Sequence, residues 1–172
     1  HLLDSSLLTS TFSEIKKADV YIISVSDNAI QDVSSQIPFG NQLVVHTSGS
    51  VAMTDLNDKN RKGVFYPLQT FSLERDVDWS ATPLFVEAAT DTDQELLSDL
   101  ANSLSNRVYQ YTSKQRLSLH LAAVFACNFS NYCFDMAKQL PHNYIQGYAV
   151  DLDKNDKGDY IVQLSDGTVV IA

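Results

Sequence analysis

Glycine is scarce in this sequence, and its spacing excludes two common nucleotide-binding motifs. Only six of the 172 residues are glycine, and no two of them form Gly-x-Gly. A dinucleotide-binding fingerprint and a P-loop both need glycines at defined short spacings, because the backbone must approach phosphate groups closely. The sequence therefore predicts that this chain lacks a pyrophosphate-binding turn. It also contains no Gly-x-Ser-x-Gly frame, which excludes a nucleophile elbow.

Positive charge is scarce as well. The chain has 12 Lys and Arg residues against 21 Asp and Glu residues, a formal net charge of -9. Phosphate backbones and anionic lipids attract proteins of the opposite charge. We therefore expect no nucleic-acid partner and no membrane-surface partner. The longest strongly apolar stretch, residues 117–129, is also shorter than the roughly 20 residues that a membrane span needs.

A secretion signal and a disulfide framework are also lacking. The first residues, His1 to Asp4, form neither a basic n-region nor an apolar h-region and include no initiator methionine. We therefore expect a cytoplasmic protein and a chain that is a fragment. The two cysteines, Cys127 and Cys133, are six residues apart on one predicted helix, which disfavours a bond between them. Both thiols are expected to pack in the core of a protein in a reducing compartment.

The remaining composition is that of a globular protein of one domain or slightly more, with 44% hydrophobic and 19% charged residues. Short β-branched and aromatic runs alternate with segments of helical period. Crossover helices are what parallel strand pairing requires, so this alternation predicts an α/β fold with a mostly parallel sheet. The predicted strands are residues 18–25, 42–46, 63–66, 83–88 and 107–111.

Helix signals accompany these strands. The turn Ser26-Asp27-Asn28 is expected to cap a first helix, Ser50 a short helix to Leu56, and Thr90 a longer one. From Ser113 the helical period continues to Leu140, where Pro141 is expected to end it. The sequence thus predicts one helix of about 27 residues, or about 40 Å, in this region.

Two loops at predicted strand ends hold candidate site residues. In open α/β sheets, ligands bind at the carboxyl ends of the strands. The first loop, Ser24-Val25-Ser26-Asp27, places hydroxyl groups at a helix N-terminus, where a ribose or phosphate can bind; the alternative is ordinary helix capping. The second loop, His46-Thr47-Ser48-Gly49, adds an imidazole that can exchange a proton near neutral pH. Its alternative is a histidine bonded to a neighbouring carbonyl group.

His120 and Asn128 interrupt the apolar part of the long helix. They are eight residues apart, so their directions differ by about 80° and they are separated by about 12 Å along the helix axis. They can line one broad cleft, although not one tight site. The alternative is two helix-packing residues whose polar groups are satisfied by neighbours.

Four segments, in this order, resemble one protein family. They are ADVYIISVSDNAI at 18–30, VVHTSGS at 44–50, FYPLQTF at 65–71 and LHLAAVFACNF at 119–129. Together they resemble the bacterial proteins that join a Rossmann-like NAD(P)-binding domain to the helical domain of unknown function 2520. The resemblance covers about residues 10–140 and places the chain near pyrroline-5-carboxylate reductases and β-hydroxyacid dehydrogenases.

This resemblance implies NADP or NAD as the cofactor, a small-molecule substrate in a cleft between two domains, and a homodimer formed through the long helix. The implied cofactor-binding residues are Ser24, Val25, Ser26 and Asp27 beside the ribose, and Thr47, Ser48 and Gly49 beside the nicotinamide. The implied catalytic residues are His46, His120 and Asn128. No metal is implied.

The expected organisation has three parts. Residues 1–111 form a partial Rossmann-like domain, residues 112–140 open the helical dimerisation domain, and residues 141–172 form a β-hairpin tail with a turn at 165–167. The opening strand and glycine-rich turn of the family have no counterpart here. We therefore expect a partial NAD(P)-dependent oxidoreductase that alone is inactive and binds the cofactor weakly or not at all. The alternative is a non-catalytic α/β binding or dimerisation module.

Overall fold

The computed structural model describes residues 8–71, 76–144, 149–154, 160–164 and 169–171, with side chains up to residue 138. The chain divides into two compact units, His1–Leu121 and Ala122–Ala172. None of the helices in the described ranges combines the length and apolar character that crossing a membrane requires.

The first unit contains a five-stranded sheet in the order β1-β2-β3-β4-β5. The strands are β1 (Val20–Ile23), β2 (Leu43–His46), β3 (Arg61–Pro67), β4 (Leu84–Ala88) and β5 (Val108–Gln110). Three of the four neighbouring pairs are parallel, and only β3 and β4 run antiparallel. The predicted α/β fold with a mostly parallel sheet is confirmed.

Helix α1 (Ile30–Gln36) follows a 3-10 turn at Asp27–Ala29, and helix α2 (Asp91–Leu104) precedes β5. The predicted cap of α2 is present, because the side-chain oxygen of Thr90 accepts a hydrogen bond from the backbone N–H of Asp93 at 3.2 Å.

Two predicted caps are wrong. The Ser26 hydroxyl makes no cap hydrogen bond and donates instead to the side-chain oxygen of Asn28 at 2.8 Å. The short helix expected from Ser50 is a single 3-10 turn at Met53–Asp55, and its preceding residue, Ala52, has no side chain that can cap. The Ser50 hydroxyl is used elsewhere, as a donor to the carboxylate of Asp27.

Both faces of the sheet are covered, which explains why its strands are continuously apolar. On one face, Val45 and Phe65 pack with Leu97 of α2. Gly63 allows this close approach, because a Cβ atom there would lie 2.9 Å from a methyl group of Leu97. On the other face, two clusters pack beneath α1 and α3 (Ser113–Val124), with Ile23, Ile30, Ile37, Val44 and Leu56 in one and Val64, Tyr66, Phe85 and Leu119 in the other.

A buried ion pair fixes the start of α3 to the sheet. Arg116 is 1% exposed, and its guanidinium lies 2.5 Å from the carboxylate of Glu87 on β4. The same carboxylate accepts hydrogen bonds from the backbone N–H and the hydroxyl of Ser113, at 2.8 and 2.7 Å. Arg116 also donates to the carbonyl oxygen of Val51. These contacts determine where α3 crosses the sheet, and hence where His120, one turn further on, is placed.

The second unit continues the helix through a π-helical turn at Phe125–Phe129 into α4 (Ser130–Tyr144). The predicted long helix is confirmed, but it does not end before Pro141. Proline lacks an N–H donor and its ring crowds the carbonyl group four residues before it, which disfavours a helix without excluding helical dihedrals in the last turn of α4. Three strands follow, β6 (Ala149–Lys154), β7 (Tyr160–Leu164) and β8 (Val169–Ile171), which form an antiparallel sheet in that order. The predicted hairpin turn at 165–167 lies outside the described residues.

The expected burial of the two thiols is wrong. Cys127 in the π-helical turn and Cys133 in α4 are free and exposed. Apolar neighbours on these helices are exposed too, including Phe129 and Phe134 at 61% and 54%. The described part of this chain thus leaves an apolar surface of this helix uncovered.

Candidate functional site

A groove of about 630 Å³ opens at the carboxyl ends of β1, β2 and β3. These three strands are mutually parallel, so the loops that follow them meet at one edge of the sheet. The volume is in the range of small-molecule sites. The polar part of its lining comprises Ser24, Thr47, Tyr66, Gln69 and His120, with Gly49 between them, and the apolar part comprises Ile22, Phe65, Pro67, Phe71, Trp79 and Leu104.

The first two loops are linked by hydroxyl groups. Ser50 donates to the carboxylate of Asp27, and this hydrogen bond is the main reason why the pKa of Asp27 lies below its ordinary value. The hydroxyl of Thr47 donates to that of Ser24 at 3.4 Å. The structure therefore brings the two predicted cofactor-binding loops together at the groove. Val25 is 43% exposed and does not line it.

His46 lies beneath this edge and is fully buried. Its Nδ1 accepts a hydrogen bond from the backbone N–H of Ser48 at 3.2 Å. This nitrogen is therefore not bonded to a neighbouring carbonyl group, which was the alternative to a catalytic role. The Ser48 hydroxyl in turn accepts from the N–H groups of Ser50 and Val51, both at 3.1 Å. His46 and Ser48 together shape the loop from residue 46 to residue 51.

Burial lowers the pKa of His46 from its ordinary value of 6.5 to about 4, and the nearby positive charge of Arg116 acts in the same direction. The imidazole is therefore neutral at pH 7, with Nδ1 as acceptor and the proton on Nε2. Nε2 has no hydrogen-bond partner of normal geometry among the described residues. The backbone of Ala52 lies nearby, and its interaction with the imidazole partly opposes the fall in the pKa of His46. The predicted catalytic role of His46 stays a prediction.

Tyr66 and His120 form a pair inside the groove. The phenol oxygen of Tyr66, at the end of β3, lies 3.0 Å from Nδ1 of His120 on α3. The two rings meet edge to face, with centroids 5.9 Å apart and planes at 73°. Gly49 packs directly against both rings. The groove thus holds a hydrogen-bonded phenol and imidazole next to the hydroxyl groups of the two loops.

Asn128 lies in the second unit, exposed, within the π-helical turn. The structure does not assign it to the groove, and its catalytic role stays a prediction. Sequence reasoning missed Tyr66 as a groove residue. It also missed Glu87 and Arg116, the ion pair that positions α3. A signal existed for Glu87, because a carboxylate inside a β-branched strand pattern needs a buried partner. The described residues contain no group of three His, Cys, Asp or Glu side chains that could hold a metal ion.

Comparison with known proteins gives a family and a set of similar folds. The model of the family described as Domain of unknown function (DUF2520) matches residues 82–169. The match includes most of the tail that the sequence resemblance did not cover. No curated protein matches the chain.

Three solved structures are similar to it. A candidate NADP oxidoreductase from Bacteroides fragilis is 42% identical, with a TM-score of 0.70 over 79% of this chain and 54% of its own. A protein from Thermotoga maritima is 21% identical, with a TM-score of 0.64 over 76% and 52%. A candidate oxidoreductase from Jannaschia sp. CCS1 is 16% identical, with a TM-score of 0.60 over 80% and 58%. The last two similarities show the fold alone. The chain spans a little over half the length of each of these proteins.

Proposed function

Because the chain belongs to the family of domain of unknown function 2520, we propose that it forms the nicotinamide-side part of an NAD(P)-dependent oxidoreductase acting on a small molecule. One observation carries this proposal: the groove at the carboxyl ends of three parallel strands combines hydroxyl groups with the His120 imidazole. The 42% identity to a candidate NADP oxidoreductase supports the same cofactor class.

The residues present fit one end of a dinucleotide. The Ser24 and Thr47 hydroxyls line the groove and can exchange their mutual hydrogen bond for bonds to a ribose. The pyrophosphate end has no counterpart in the sequence, because no Gly-x-Gly turn is present. Cofactor binding by this chain is therefore expected to be weak and concentrated on the nicotinamide ribose.

In this proposal the nicotinamide group, when bound, supplies or accepts the hydride. His120 contacts the substrate oxygen, since its imidazole lines the groove. His46 acts through the loop that its Nδ1 organises, since it is fully buried. Asn128 is proposed to orient the substrate, as the family resemblance implies.

Saturation-transfer NMR with millimolar NADPH tests the proposal on this chain, because the method detects weak binding. We expect transfer to the nicotinamide and its ribose protons to exceed transfer to the adenine protons. Thr47→Val, which removes one hydroxyl at nearly constant shape, should reduce that transfer. Thr54→Val, at an exposed hydroxyl outside the groove lining, should not. Absence of any transfer, or transfer mainly to adenine, would contradict the proposal.

We further propose that a second copy of this chain covers the long helix. Its exposed apolar side chains include Leu117, Leu121, Phe125, Phe129 and Tyr132, which are 48% to 63% exposed. Large apolar side chains that are exposed along one helix are typical of an interaction site, and two-fold dimers are the commonest solution.

A further inference from the structure

We propose that Tyr66 is a positioning residue that holds His120 in the tautomer with its proton on Nε2, so that His120 offers a hydrogen-bond donor to an oxygen atom of the bound molecule. The identity of that molecule as an oxidoreductase substrate rests on the proposed function. The tautomer itself is a property of this chain and can be tested without any ligand.

The argument begins with the Tyr66 phenol. Tyr66 is 8% exposed, and the only partner of its hydroxyl among the described residues is Nδ1 of His120, at 3.0 Å. A buried O–H donor needs an acceptor. If Nδ1 carried a proton, the phenol hydrogen would have no acceptor within the described structure. The arrangement that satisfies both groups has Tyr66 donating and Nδ1 accepting.

The protonation state of the phenol supports this direction. Burial raises the pKa of Tyr66 above its ordinary value, and the positive charge of Arg116 opposes that rise only in part. The phenol therefore keeps its proton at neutral pH and remains a donor. A neutral imidazole has one N–H and one acceptor nitrogen, so acceptance at Nδ1 leaves the proton on Nε2.

Gly49 gives the pair a fixed geometry. A Cβ atom at this position would lie 2.4 Å from Nδ1 of His120 and 2.8 Å from the Cζ atom of Tyr66. The backbone of the loop after β2 is thus in direct contact with both rings, which are themselves carried by β3 and α3. Three elements hold the hydrogen bond, and Nε2 is the nitrogen of His120 left without a partner among the described residues.

The consequence for chemistry is that Nε2 of His120 is a hydrogen-bond donor. An imidazole with Nε2–H can polarise a carbonyl oxygen by hydrogen bonding, as an electrophilic group does in carbonyl chemistry. In this tautomer it cannot accept a proton at Nε2. We therefore infer that the substrate presents an acceptor oxygen, such as a ketone carbonyl, to His120.

The test is long-range ¹H–¹⁵N NMR of the imidazoles in the full chain at pH 8, with the His120 signals assigned by their loss in His120→Asn. We expect Nδ1 of His120 to have the shift of an unprotonated nitrogen and Nε2 that of a protonated one. In Tyr66→Phe the Nδ1 shift should move toward the protonated value, because the donor that fixes the tautomer is gone.

Two controls separate this effect from a general structural change. His46 also accepts at Nδ1, from Ser48, so its nitrogen shifts should be the same in Tyr66→Phe as in the unchanged chain. Tyr21→Phe removes a different phenol, bonded to backbone groups of Lys16 and Ala18, and should leave His120 unaffected. Should Tyr66→Phe fail to fold, Gly49→Ala provides a second way to displace the ring and should give the same shift of Nδ1.

A protonated Nδ1 in the unchanged chain would overturn the proposal, and so would His120 shifts that are identical in Tyr66→Phe. Neither result depends on nicotinamide binding. A chain that shows the expected tautomer but no saturation transfer from NADPH would refute the proposed function and leave the role of Tyr66 intact.

Discussion

Gly49 and His120 are in such close contact that a methyl group on Gly49 would lie 2.4 Å from Nδ1 and 2.6 Å from Cγ of the imidazole. Real Cβ atoms do not approach other atoms this closely, so Gly49→Ala must displace the ring of His120. We expect a loss of about 1–3 kcal/mol in the free energy of unfolding, the usual cost of overpacking. Urea denaturation measures it.

Gly40→Ala is the matched control for this substitution. A Cβ atom on Gly40 would be in ordinary contact with Lys59, at 3.7 Å. The added methyl group should leave stability unchanged or raise it by about 0.4–1 kcal/mol through the unfolded state. Equal effects at the two positions would show that the contact between Gly49 and His120 is not tight in solution.

The buried pair of Glu87 and Arg116 gives a second prediction. Glu87→Gln keeps an acceptor for Ser113 but leaves the guanidinium, which is 1% exposed, without a counter-charge. Removing one partner of a buried pair typically costs about 3–5 kcal/mol, and we expect a loss near the lower limit by urea denaturation. Asp58→Asn, which breaks the ion pair of a fully exposed carboxylate with Lys62, should cost far less, because water and salt screen exposed ion pairs. Similar losses would contradict the idea that Arg116 fixes α3.

Local sequence patterns predicted most of the fold. The apolar runs around Val20–Ile23 and Leu43–His46 predict strands. In a sheet covered on both faces, apolar and polar residues need not alternate along a strand. The helix cap at Thr90 was predictable because the capping residue and its partner, Asp93, are only three positions apart in the sequence. The predicted helix end before Pro141 was wrong, because α4 continues to Tyr144. Proline disfavours a helix but does not always end it.

The site was less predictable, because its contacts join residues far apart in the chain. Tyr66 meets His120 across 54 residues, and Arg116 meets Glu87 across 29. Periodicity cannot encode such pairs. The strand-end rule placed Ser24, Thr47 and Gly49 at the groove, since parallel strands bring their carboxyl ends to one edge. This rule does not reveal that the buried phenol of Tyr66 also lies at that edge, in contact with His120.

The proposed dimer predicts a mass of two chains by light scattering during size exclusion at micromolar concentration. Leu121→Glu or Phe125→Glu should give the mass of one chain, because each would bury an unpaired carboxylate in the interface. Asn102→Glu, at an exposed polar position on α2, which covers the opposite face of the sheet, should leave the dimer intact. A single-chain mass for the unchanged protein would refute the dimer, and a dimer that survives both apolar substitutions would place the interface elsewhere.

The last prediction concerns the pH dependence of stability and follows from the buried imidazole of His46. Its pKa is 6.5 in an unfolded chain and about 4 in the folded one. Between these two pH values the unfolded state binds more protons, so the free energy of unfolding rises with pH there and is flat above it. Within this window the slope should approach about 1.4 kcal/mol per pH unit. Urea denaturation at a series of pH values measures the slope.

His46→Asn isolates this contribution, because the Asn side-chain oxygen can accept the hydrogen bond from the Ser48 N–H but does not titrate. The lowered pKa of Asp27 affects stability mainly below its ordinary value of 3.8, and its main cause, the hydrogen bond from Ser50, is present in both proteins. The difference between the two curves should therefore change from pH 6.5 down to about 4, with the unchanged protein losing more stability. Parallel curves would mean that the imidazole is accessible to water in the folded chain and that the loop from residue 46 to residue 51 is open.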